Sequence, residues 1–132
     1  MLPSLNDLLD QIVNGTLLPA AAIAALDHDA ILDARDGDAS FESDWLRYHK
    51  EIERRWSEAT VDPDTARLAE DIRRESFLTV SRATTQHEIA SYVSDDFDLI
   101  VKAAILGLDD PFLSTMWEAY ARNEIPAPTA EP

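Results

Sequence analysis

Three histidines are the side chains best suited to proton transfer or metal binding in this 132-residue chain, which contains no cysteine. His49 and Glu53 stand four apart, so on a helix their side chains meet, and a carboxylate can orient the imidazole as a base or ligand. His28 lies between Asp27 and Asp29, and His87 follows Thr85-Gln86. No His-x-x-x-His, Glu-x-x-His or His-Glu-x-x-His occurs, which removes the usual helical zinc and di-iron signatures. The missing cysteines remove thiolate catalysis, disulfides and sulfur-ligated metals. Gly15, Gly37 and Gly107 are too far apart for a phosphate loop, and no Gly-x-Ser-x-Gly elbow is present. The expectation is therefore no catalytic residue, no metal and no cofactor.

As a calcium loop, the acidic run from Asp27 to Asp44 would place Gly37 at the invariant glycine of an EF-hand. Leu32, Ala34 and Ser43 then occupy positions that need oxygen ligands or a bidentate glutamate, so the match fails. The run reads as a solvated acidic loop, with Ile31 and Leu32 tucked inward from a short turn or helical piece.

Charge is the more informative feature. The net charge is −15, with −8 on residues 1 to 46, −7 on residues 83 to 132, and balance between them. Such a field repels nucleic acid and anionic membrane and speeds encounter with a basic partner, although solubility alone explains it equally well. Asp29, Asp33, Asp36 and Asp38 concentrate charge where no helical pairing is expected to neutralise it. Trp45, Tyr48 and Trp56 share a helical face with His49, and such aromatics serve either as core or as interface anchors. Asp29, Asp33, Asp36, Asp38, Trp45 and Trp56 are the expected partner-binding residues. Arg67, Arg73, Arg74 and Arg82 form the concentrated positive charge, but Glu70, Asp71 and Glu75 are placed to pair with them.

These residues must be carried by helices. Ser4 can cap a first helix that Gly15 ends, and Pro19 can open a short alanine-rich one. Ser40 opens a long helix to about Ala59, and Asp62-Pro63 caps the next, to about Ala83. Thr85-x-x-Glu88 reads as a capping box for a short helix, after which Ser94 caps a helix from Asp95 to Leu106. Phe97, Ile100, Val101, Ala104, Ile105 and Leu108 give that helix a wide apolar stripe, so it is expected at the centre. Asp110-Pro111 launches a last helix, Phe112 to Asn123.

The expected fold is all-α: one domain, 1–125, of five or six helices around 95–106, followed by a disordered proline-rich tail, 126–132. No leader or membrane span is recognised, and the expected location is cytoplasmic. The expected function is a non-enzymatic acidic protein-interaction module, in its most concrete version an immunity- or inhibitor-type protein masking a basic partner surface. Two alternatives stay open: a small helical metal- or ligand-dependent enzyme using His49 and Glu53, and a homo-oligomer with the aromatic helix as its seam.

Overall fold

The computed structural model describes residues 2–128. Seven helices follow one another: α1 (Leu5–Asn14), α2 (Ala20–Ala24), α3 (His28–Gly37), α4 (Ala39–Glu58), α5 (Pro63–Thr84), α6 (His87–Leu106) and α7 (Pro111–Ala121), and no strand occurs among the described residues. The all-α architecture expected from the caps and stripes is what the chain adopts.

Local chemistry explains most of the boundaries. Ser4 accepts from the Asp7 amide, Asp62 from Asp64 and Thr65, and Asp110 from Phe112, with Pro63 and Pro111 in the first turns where a missing N–H costs nothing. Gly15 (φ 82°) and Gly107 (φ 73°) close α1 and α6 in the left-handed region that glycine enters without steric cost.

The acidic run departs from the expected loop. Asp27 caps α3 by accepting from the Ala30 amide at 3.1 Å, and Asp38 caps α4 by accepting from Phe41 at 2.8 Å. Two of the acids are thus spent as caps, and the residues between them are helical because Leu32 and Arg35 face inward.

The second departure is α6. The expected break at Ser94 does not exist, and one helix of 20 residues replaces two. Ser94 is buried and its hydroxyl donates to the Ser91 carbonyl at 3.0 Å, the back-bonding by which serine is tolerated inside a helix. Nor does Thr85 open the helix. It closes α5 with φ 54° and donates to the Thr84 carbonyl, leaving Gln86 as an N-cap without a side-chain bond.

The helix α6 lies at the centre. It forms a hairpin with α5 across Thr85 and Gln86, and also packs against α4 and α7, while α1 and α2 rest on α5. Ile89, Val93, Phe97 and Val101 join the main core with Leu8, Ile12, Ile23, Ile72 and Tyr120. Leu99 and Ala103 meet Ile52 of α4 and Leu113 of α7 in a second cluster. Ile105 is half-buried and Ala104 exposed, so the central stripe thins toward its C-terminal end. Ile125 and Pro126 are buried, which carries the packed chain one residue past its expected end; residues 129–132 lie outside the described residues.

Candidate partner-binding surface

The surface is organised by a buried ion pair. Helix α3 turns Arg35 inward at 7% exposure, and its two terminal nitrogens donate to the two oxygens of Asp96 at 2.7 and 2.9 Å. Asp96 is fully buried on α6 and accepts two further bonds, from the Trp45 indole N–H at 2.9 Å and the Tyr120 hydroxyl at 2.6 Å. One carboxylate therefore ties α3, α4, α6 and α7 together. Burial alone would lower the Arg35 pKa, but the charge and hydrogen bonds of Asp96 more than offset it and raise the value. The guanidinium also lies over Phe41 and Tyr92, at 4.9 and 5.0 Å from their ring centroids.

Tyr120 makes this network sensitive to alkali. Complete burial, then the charge of Asp96, holds its phenol well above the usual value near 10. Above that pH the unfolded phenol releases its proton while the folded one keeps it, so stability is full below about pH 10 and falls as pH rises, by up to about 1.4 kcal/mol per unit for one phenol. Urea unfolding at a series of pH values should show the drop, and Tyr120→Phe should remove this residue's share. An unchanged alkaline slope in the variant would refute the assignment.

Outside this clamp, α3 presents its acids. Asp29, Asp33 and Asp36, spaced four and three apart, are exposed on one face. The described ion pairs involve none of them. The Tyr92 hydroxyl donates to Asp36, and this bond, followed by burial, pushes the phenol up to about 12. Asp38 is half-buried and occupied as the α4 cap.

Between α3, α4 and α6 opens a cleft of about 220 Å³. Phe41, Trp45 and Tyr92 give it an aromatic lining, and Leu46 stands beside them. Leu46 is 54% exposed, and Val13 is the one other large exposed apolar side chain among the described residues. Asp36, Glu42 and Asp95 also line the cleft. Partial burial, then Asp96 and Asp98, raises the carboxyl of Asp95 above its usual range.

The structure gathers some of the expected partner-binding residues and separates others. Asp36 and Trp45 meet at the cleft, with Asp29 and Asp33 continuing the stripe. Trp45 is half-buried, bonded to Asp96 and stacked on His49 at 5.1 Å, so it is a pillar of the cleft as well as its lining. Trp56 lies eleven residues on, about 16 Å along the helix axis, under the ammonium of Lys102 at 5.1 Å. Lys102 in turn meets Glu53 at 2.9 Å and Asp98 at 3.3 Å.

His49 is 3.7 Å from Glu53, whose closer partner is Lys102. His28 bonds the Ile23 carbonyl and His87 the Ser81 hydroxyl. Among the described residues no group of three or more His, Cys, Asp or Glu is placed to hold a metal, and no helix is long and apolar enough to cross a membrane.

Arg35, Asp96 and Leu46 went unnoticed in the sequence as members of a site. A signal existed for the first two: Asp96 falls between Val93 and Ile100 on an apolar face, and Arg35 follows Leu32 by three. A charge on each of two inward faces invites pairing.

The family described as Immunity protein PIM1 matches residues 7–127. No curated protein matches the chain.

Proposed function

The chain belongs to the PIM1 immunity protein family, and from that membership we propose that it protects by binding a toxin through the exposed face of α3 and the adjoining cleft on α4. An immunity-type role exercised through protein interaction is the family's; the toxin's basic surface and the contact residues are our reading. The observation that carries it is the row Asp29, Asp33 and Asp36, outside the described ion pairs, beside a cleft with an exposed leucine. Apolar surface at the centre with charge at the rim is the anatomy of a specific interface, and a row of like charges speeds encounter with the opposite sign. Trp45 supports the cleft from beneath; Asp38 is held as a cap and Trp56 lies farther along α4. The encounter is proposed to take place in the cytoplasm.

The test is co-expression with a toxin encoded in the genomic neighbourhood of this chain. Growth should be restored, and the two purified proteins should form a stable complex whose association slows with added salt. Protection without a complex, or a complex indifferent to salt, would refute the reading.

A further inference from the structure

Building on that toxin-binding role, we infer that the cleft between α3, α4 and α6 seats one cationic side chain, arginine or lysine, which the toxin presents next to an apolar residue. The cation lies against Glu42 and Asp95, and its apolar neighbour covers Leu46.

Size is the first argument. At about 220 Å³ the cleft is smaller than sites for drug-sized ligands, which span about 300 to 1,000 Å³, and suits a single long side chain. Charge is the second. Asp36, Glu42 and Asp95 line it against one base, Arg35, whose own charge is met by the buried Asp96. None of the three carboxylates takes part in a described ion pair, so an incoming cation enters a net negative field. Asp95 gains from the cation, since partial burial and the neighbouring Asp96 and Asp98 disfavour its ionised form.

Surface chemistry is the third argument. Phe41, Trp45 and Tyr92 line the cleft with aromatic carbon, along which the aliphatic stem of an arginine or lysine can lie while its charge reaches the carboxylates. Leu46 supplies the dry contact that charge alone does not, and exposed leucine beside carboxylates suits a partner that alternates apolar with basic. A second copy of a chain with net charge −15 is repelled from the same place.

The experiment is an NMR titration of the full chain with the blocked peptide acetyl-Gly-Arg-Leu-Gly-amide. A citrulline counterpart keeps the shape and removes the charge. The arginine peptide should shift the Trp45 indole N–H, the Leu46 methyls and the Tyr92 ring saturably, and citrulline should bind roughly threefold or more weakly. Glu42→Gln with Asp95→Asn should erase that difference, whereas Leu46→Ala should weaken both peptides alike. These three positions are exposed, so the variants should keep the parent circular dichroism spectrum. Equal binding of the two peptides, or shifts confined to the outer face of α3, would overturn the inference. Cell protection is read separately. A chain that protects while its cleft ignores arginine refutes this inference alone; a chain that seats arginine without protecting supports the cleft and refutes the toxin-binding role.

Discussion

Arg35→Ala is expected to lower the unfolding free energy by about 3 to 5 kcal/mol, because it leaves a buried carboxylate without its counter-charge. Asp96 is fully buried and would keep the indole of Trp45 and the phenol of Tyr120 as donors, two neutral groups in place of a bidentate guanidinium. Arg122→Ala is the control, since its bond to Glu124 joins two side chains that are each more than half exposed, and such a pair contributes about 0 to 1 kcal/mol. Urea unfolding of both variants checks the contrast, and equal costs would rule out the clamp. Arg35→Met combined with Asp96→Leu should recover only part of the loss, because apolar groups can replace the buried pair but leave the Tyr120 hydroxyl and the Trp45 indole without their acceptor. The double variant should nonetheless bind its partner poorly, since the guanidinium between Phe41 and Tyr92 shapes the cleft.

The second large effect concerns association. Asp33→Lys and Asp36→Lys with Asp29→Asn should slow association with a basic toxin by about tenfold to a hundredfold at low salt, with the gap shrinking as salt rises. Asparagine is chosen at Asp29 because a lysine in the first turn of α3 would oppose the helix dipole. Asp38 is left alone because it caps α4. Stopped-flow association over a range of salt is the measurement. A triple variant that associates at the parent rate would eliminate steering by α3 and leave the Leu46 cleft to account for binding. Dissociation should change less for Asp29 and Asp33, which stand outside the cleft, than for Asp36, which lines it and accepts from Tyr92.

Much of the fold was legible because its signals act over a few residues. A serine or aspartate before an apolar stripe satisfies amides two or three positions on, as at Ser4, Asp62 and Asp110, and a glycine after one closes the helix, as at Gly15 and Gly107. Where the same residue types had a second local use, the reading failed. Ser94 back-bonds inside α6 where a cap was expected, and the aspartates of the supposed loop cap two helices. Choosing between such uses depends on whether the flanking residues are buried, which a local window does not contain.

The amino-acid order by itself determined the helical class, the central position of the 95–106 stripe, the acidic flanks and the lack of cysteine, since each follows from composition or from periodicity within a turn or two. Tertiary structure decided the rest. Arg35 and Asp96 are separated by 61 positions, and the cleft is assembled from three helices. A charge on an apolar face is destabilising alone and stabilised only across from its partner, so which acids are surface and which are structure is a property of the packed chain. Asp33 and Asp96 are the same residue type; one faces water because α3 turns it outward, and the other ties four helices together because α6 turns it in.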